Sequence, residues 1–182
     1  GLGKTVQALS LFLREREAGR NVRALIVCPA SLQFNWRSEA ARFAPSLPCQ
    51  ALIGTAAARV RQIAQWRDGI LITSYDQLKR DVEAYRDIEL THVFLDEAQY
   101  IKNAASQAAK AVKTLKAEHR FALTGTPIEN RLSELWSIFD FLMPGYLYAY
   151  KKFKERFEAP IVLEGDEQAR HDLHLMAAPF IL

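Results

Sequence analysis

The stretch HVFLDEAQ, residues 92–99, decides how this chain is to be read. Four residues of strand character run directly into Asp96 and Glu97. At the carboxyl end of a strand in an α/β sheet, an aspartate can hold Mg2+ through water, and an adjacent glutamate can orient and activate an attacking water. Two neighbouring carboxylates at a strand end are also what a solvated turn carries, so the pair needs support from elsewhere in the chain.

Support comes from GLGKT, residues 1–5. In a phosphate-binding loop of pattern GxxxxGK[ST], backbone N–H groups cradle phosphate, the lysine holds the β and γ phosphates, and the hydroxyl binds Mg2+. Gly3, Lys4 and Thr5 supply the end of that pattern, whose first three positions would precede Gly1. Alone, the string also fits a surface turn. Followed by an apolar run that ends in Asp-Glu, it favours a nucleotide site. A third element, ALTGTP at 122–127, closes the last strand-like run with Thr124, Gly125, Thr126 and Pro127. Hydroxyls at such a strand end can sense a γ phosphate and pass its presence to a neighbouring surface, although read alone the segment is a turn.

Working outward, short apolar runs rich in branched residues alternate with longer segments of helical period. That alternation predicts an α/β fold with a mainly parallel sheet flanked by helices. Strands are expected at 23–28, 50–53, 70–73, 92–95 and 121–123, and helices at 5–18, 31–43, 55–67, 77–85 and 104–116, the last capped by Asn103. Beyond Leu123 the strands stop. Leu132, Leu135, Trp136, Phe139 and Leu142 form one stripe of a helix over 131–143, and Pro144-Gly145 breaks it. Segments 151–157 and 167–176 complete a C-terminal helical appendage, which divides the chain into a lobe at 1–143 and an extension at 144–182.

Composition narrows the class without fixing it. The 182 residues are 49% apolar and 25% charged, ordinary for a globular protein, and a net charge of +3 with pI near 8.9 permits a nucleic-acid partner without requiring one. Cys28 and Cys49 lack metal-ligand spacing and read as buried thiols of a reduced intracellular protein. No apolar run approaches the roughly 18 residues of a membrane span. Lys110, Lys113 and Lys116 read as a solvated helix face, and His171 with His174 lacks a third metal ligand. The group Lys151, Lys152, Lys154 and Arg156 is open between a solvated face and a phosphate contact. The chain has no initiator methionine and starts inside a motif, as an excised piece would, so a targeting signal would not be visible.

Together these segments resemble the Swi/Snf-type DNA translocases of helicase superfamily two. GLGKTVQ is similar to the end of motif I (Walker A), VCPASLQFNW to motif Ia, ITSYDQL to the next nucleic-acid-contacting block, LDEAQYIKN with its DEAQ box to motif II, and LTGTPIENRLSELWSIFDFLMPG to motif III. The resemblance implies a RecA-like three-layer lobe, ATP and Mg2+ as ligands, and double-stranded DNA as partner. It also implies a second RecA-like lobe of the parent chain, DNA-bound proteins as further partners, and a location in the cytoplasm, nucleoid or nucleus. By resemblance Gly1, Gly3, Lys4, Thr5 and Gln99 bind the nucleotide, Thr5 and Asp96 support the metal, and Glu97, the base, is catalytic together with Asp96 and Lys4. Gln99, Thr124 and Thr126 couple nucleotide state to DNA, while Ser31, Asn35, Thr73, Ser74 and Tyr75 touch backbone phosphates, holding register without reading sequence. The rings of Trp36 and Tyr75 read more simply as helix-to-sheet packing.

Against the family pattern, motif I lacks its front edge and lead-in strand, the second lobe with its arginine finger is missing, and Glu129 replaces a more usual glutamine. Residues 1–182 alone are therefore expected to be inactive. Two rival readings remain: a strand-separating superfamily-two helicase, which the residues after Pro127 disfavour, and a non-hydrolysing DNA-binding scaffold, which has no need of Lys4, Thr5, Asp96 and Glu97 together.

Overall fold

A computed structural model describes residues 2–125 and 132–181, with the side chain of Leu2 excepted. Its centre is a five-stranded, wholly parallel sheet in the order β2-β3-β1-β4-β5, built from β1 (Arg23–Cys28), β2 (Cys49–Ala51), β3 (Gly69–Ser74), β4 (Glu89–Leu95) and β5 (Lys116–Ala122). The central strands are buried on both faces, as crossover helices on both sides of a parallel sheet require. Ala24, Ile26 and Cys28 face one layer while Leu25 and Val27 face the other. On the first face lie α1 (Leu2–Glu17) and α2 (Gln33–Phe43), which contribute Ala8, Leu9, Phe12, Trp36 and Ala40. The second face is covered by α3 (Ala56–Gln65), α4 (Tyr75–Asp81), α5 (Gln107–Lys113) and part of α6 (Leu132–Leu142). Among the described residues no helix is long and apolar enough to cross a membrane.

Helix α6 serves two cores. Ile138 and Phe141 pack on the sheet, whereas Leu135, Trp136 and Phe139 pack against Leu147, Phe153, Phe157, Leu173 and Ala177 of the appendage. The appendage consists of α7 (Tyr150–Phe153), π-helical turns at Lys154–Glu158 and Pro160–Glu164, and α8 (Glu167–Ala177). Continuous helical patterning over 151–157 thus resolves into a short α-helix that widens, just ahead of a proline that has no N–H to donate.

Three expectations around α5 need correction. Ser106, not Asn103, caps α5 by accepting from Ala109 N at 3.1 Å; the Asn103 side chain instead accepts from Ala105 N at 3.0 Å within the preceding turn. Lys116 does not extend that helix, because β5 starts there and pairs with β4 from Glu89↔Lys116 to Leu95↔Ala122. The early part of β5, Lys-Ala-Glu-His-Arg, carries no apolar run because it lies at the sheet edge. Lys113 pairs with Asp140 at 2.5 Å and lies over the Trp136 ring, so the three lysines do not form one free face.

Gly69 marks a close approach that sequence spacing alone cannot show. It has φ +81°, and a Cβ there would lie 2.2 Å from the Pro48 carbonyl oxygen, so only glycine fits between α3 and β3. The α3 and α4 pair is tied by a buried ion pair: Arg59 Nε and Nη2 donate to Asp81 Oδ2 and Oδ1 at 2.5 and 2.9 Å, and Arg59 Nη1 donates to Gly54 O at 2.9 Å. Both side chains are almost completely buried, at 7% and 2% exposure, so the bidentate geometry must offset a large desolvation cost.

Asp81→Ala leaves the Arg59 charge buried without its partner. Denaturant unfolding should show a loss of about 3–5 kcal/mol, while the double replacement Arg59→Met with Asp81→Leu should recover much of it. An unchanged midpoint in the single variant would contradict the buried pair. A second expectation concerns pH. His92 packs edge-on against Phe12 and beside His119, and burial first, then the His119 charge, lowers its pKa below the ordinary 6.5. The unfolded chain therefore binds the proton more readily, so stability is complete above about pH 6.5, falls as pH drops through that value, and levels off below the folded pKa. Melting temperatures from pH 8 to 5 should fall less steeply in His92→Phe than in the wild type.

Candidate active site

Because every strand is parallel, the carboxyl ends of β1, β3, β4 and β5 open at one end of the sheet, where α/β proteins bind ligands. The β4 ladder continues one residue past Leu95, with Asp96 N donating to Val27 O at 2.8 Å. Glu97 then adopts a left-handed conformation, φ 51° and ψ 56°. A non-glycine residue there costs on the order of 1–3 kcal/mol and persists only when its surroundings hold it. The neighbouring bonds are Ala98 N to Leu123 O at 2.8 Å and Tyr100 N to Glu97 O at 3.0 Å.

The reversal folds the DEAQ side chains into one hydrogen-bonded series. Glu97 N donates to Asp96 Oδ1 at 2.9 Å, Gln99 Nε2 donates to Glu97 Oε2 at 2.5 Å, and Thr124 Oγ1 donates to Gln99 Oε1 at 3.2 Å. From the first turn of α1, Lys4 Nζ donates to Thr124 O at 2.9 Å. Gly125 forms the floor between these groups: a Cβ there would stand 3.9 Å from Glu97 Oε2 and 4.0 Å from Lys4 Nζ. Lys4, Thr5, Asp96, Glu97 and Gln99 are all half-buried, accessible to a ligand yet shielded enough to strengthen charge interactions.

Two aromatic residues hold Asp96 from the other side. Trp36 Nε1 of α2 donates to Asp96 Oδ2 at 2.9 Å, and the Tyr75 hydroxyl, at the start of α4, donates to Asp96 O at 2.9 Å. Both side chains are buried, and Tyr75 stacks on Tyr100 at 4.8 Å. Burial first, then the Asp96 charge, pushes the Tyr75 phenol well above its ordinary pKa, so it remains a donor. The same two causes push the nearby Cys28 thiol up to about 12, and burial raises Cys49 to about 11; both are free and unreactive.

The expected phosphate contacts separate into two groups. Ser31, on the 3₁₀ turn Ala30–Leu32, and Asn35, on α2, are exposed beside this end of the sheet. Thr73, Ser74 and Tyr75 are buried, with their polar groups already engaged. Ser74 caps α4 through a capping box with Gln77, and Thr73 Oγ1 lies 3.4 Å from Gln77 Oε1. These three side chains order the β3–α4 turn, because the capping hydroxyl and the buried phenol satisfy internal groups in preference to solvent. Gly1, Thr126 and Glu129 lie outside the described residues.

Sequence reading missed the polar tips of Trp36 and Tyr75, and it missed Gln77. The signal was present in the chemistry: a buried indole N–H or phenol O–H requires a partner. Gln77 accepts from Ser74 N at 3.0 Å and from Gln33 Nε2 at 2.8 Å, joining α2 to the β3–α4 turn.

The donor set fits Mg2+. Thr5 and Asp96 offer hard oxygen ligands, and a carboxylate that accepts one bond on each oxygen keeps lone pairs for metal-bound water. Among the described residues no cluster of three or more His, Cys, Asp or Glu could hold a metal ion, so this is no all-protein cage. Mg2+ usually takes one or two carboxylates and completes its shell with water and substrate phosphates.

Known proteins resemble the chain over its whole length. A solved structure of the Sulfolobus solfataricus SWI2/SNF2 ATPase core in complex with dsDNA superimposes with a TM-score of 0.89 at 39% identity, covering 100% of this chain and 38% of that one. The TATA-binding protein-associated factor mot1 of Schizosaccharomyces pombe is 37% identical across the whole chain, which spans 10% of that protein. A putative ATP-dependent helicase/translocase of Bacillus subtilis, YwqA, is 39% identical, and the chain spans 20% of it. The SNF2-related domain model matches residues 1–182, and the chain belongs to that family of Swi/Snf-type, ATP-dependent proteins.

Proposed function

We propose that the chain is the first ATPase lobe of an enzyme that couples ATP hydrolysis to movement along double-stranded DNA and remodels proteins bound there. The observation that carries this reading is the continuous series Lys4, Thr124, Gln99, Glu97 and Asp96 at the carboxyl end of the sheet. It brings an ammonium group and two carboxylates to one surface. Likeness to an ATPase core solved with dsDNA supports duplex as the partner.

In this reading Lys4 exchanges its carbonyl partner, Thr124 O, for phosphate oxygens of ATP, with Gly1 and Gly3 supplying backbone donors. Thr5 and Asp96 hold Mg2+, which when bound offsets phosphate charge. Glu97, aimed by Gln99, accepts the proton of the attacking water. Catalysis is then mainly positioning and charge stabilisation, as phosphoryl transfer requires. Gln99, Thr124 and Thr126 couple the state of the phosphate site to the surface carrying Ser31 and Asn35, with the Thr73–Tyr75 turn behind it. The second half of the groove and a transition-state arginine belong to the second lobe of the parent protein. The working location is inside the cell with the DNA, in cytoplasm, nucleoid or nucleus.

In the parent protein, duplex DNA should stimulate ATP hydrolysis more than single strands of equal length. Equal or greater stimulation by single strands would favour a strand-separating helicase, and no hydrolysis in any condition would favour a DNA-binding scaffold. Glu97→Gln should retain nucleotide binding and lower kcat by on the order of 10²- to 10⁴-fold, because the phosphate and metal contacts persist while the proton acceptor is lost. Lys4→Ala should weaken nucleotide binding itself, measured with a fluorescent ADP. Turnover near wild type in Glu97→Gln would remove Glu97 from the base role.

A further inference from the structure

The two segments expected to face DNA converge on a single residue of the nucleotide site. Asn35 is exposed on α2, and its neighbour Trp36 turns inward to donate to Asp96 Oδ2 at 2.9 Å. Ser74 caps α4, and the next residue, Tyr75, donates to the Asp96 carbonyl at 2.9 Å. The segments are also joined directly, since Gln33 Nε2 donates to Gln77 Oε1 at 2.8 Å and Gln77 completes the capping box with Ser74. A displacement of α2 or of the β3–α4 turn therefore moves the donors that hold Asp96.

The two donors act on different parts of the residue. Trp36 fixes the carboxylate plane, because Oδ2 is held by the indole while Oδ1 is held by Glu97 N. Tyr75 fixes the main chain immediately before the left-handed Glu97. Neither aromatic side chain is exposed enough to touch duplex itself: Trp36 is 2% and Tyr75 3% exposed. Packing alone would be met by phenylalanine at both sites, so the polar tips mark a further task.

We propose that Trp36 and Tyr75 are positioning residues that orient Asp96 for Mg2+–nucleotide and transmit occupancy of the exposed α2 surface to the metal requirement of the site. This rests on the ATPase reading above and adds a route separate from Gln99 and Thr124, which approach Glu97 from the β5 side.

The test uses the full-length parent protein and a fluorescent ADP, with Mg2+ titrated in the presence and absence of duplex DNA. In the wild type, duplex should lower the Mg2+ concentration that half-saturates nucleotide binding. Trp36→Phe should raise that concentration roughly 10-fold, the usual effect of removing a partner that orients a metal ligand, and should abolish the duplex-induced shift. Binding measured in EDTA should remain at the wild-type level in Trp36→Phe. Tyr75→Phe deletes one oxygen and keeps the stack on Tyr100; it should diminish the duplex-induced shift without lowering the melting temperature. If Trp36→Phe melts early, Tyr75→Phe decides alone. Variants that melt normally and keep the wild-type Mg2+ requirement and duplex shift would overturn the inference, as would an equal loss of binding with and without Mg2+, the mark of a merely structural role. A wild-type parent that binds no nucleotide at any Mg2+ concentration would instead overturn the ATPase reading beneath it.

Discussion

Parallel pairing of β1 with β4 is the constraint on which the site depends. The bond from Asp96 N to Val27 O carries the ladder one residue beyond Leu95, so Asp96 is part of the sheet rather than of a free loop. Once that position is fixed, β1 must release its chain at Cys28 on the same side, and the turn after it delivers α2 with Trp36 against Asp96. The β3 neighbour of β1 ends at Ser74, one residue before Tyr75, and the β5 neighbour of β4 ends beside Leu123 and Thr124. Three strand ends thus meet Asp96 and Glu97 without a long connection. A one-residue slip would exchange the two faces of β4 and turn Asp96 into a helix layer.

Rigidity around this end is supplied from both faces. Phe94 stacks on Phe121 at 4.3 Å and meets Phe12 edge-on, which fastens α1 and therefore Lys4 to the strands that end in the site. On the other face, Ser137 Oγ donates to Ile101 O at 2.5 Å, joining α6 to the short 3₁₀ helix that follows Glu97. Because α6 also forms one wall of the appendage core, it packs the appendage and the segment carrying Gln99 against one helix. That connection gives the Leu-Trp-Ser-Ile-Phe sequence of α6 a reason to be apolar nearly all round: it faces a packed layer on either side.

The parts legible in the sequence were those where local chemistry and tertiary role coincide. Residues 23–28 are a buried, branched run and form β1 with the expected bounds, and Lys4 comes to the same end of the sheet as Glu97, on either side of Gly125, because α/β topology brings helix starts and strand ends together. Edge strands were less legible. β2 is three residues long and begins at Cys49, and β5 begins five residues before the expected 121, because an edge strand needs no apolar pattern on its exposed part. The roles of Trp36 and Tyr75 were hidden for a different reason: an aromatic ring in a core is explained fully by packing until the partner of its polar tip is seen. Thr73 and Ser74 show the converse, since hydroxyls that invite a phosphate contact are consumed by a helix start that sequence alone placed two residues later, at 77.

The strained backbone at Glu97 and the position of Lys4 combine into one device. Left-handed geometry brings Gln99 back toward β5, where it meets Thr124, whose carbonyl receives the lysine. A neutral carbonyl is a modest acceptor, whereas a phosphate oxygen forms a charge-assisted bond about twice as strong. Under the proposed reading, nucleotide therefore draws Lys4 away from the end of β5, and the loss of that donor is felt by the same residue whose hydroxyl holds Gln99. The strain at Glu97 has a use in this arrangement. A relaxed, extended Glu97 would carry Gln99 away from Thr124, leaving Lys4 and Glu97 with no shared partner through which, in that reading, arrival of one ligand could adjust the other.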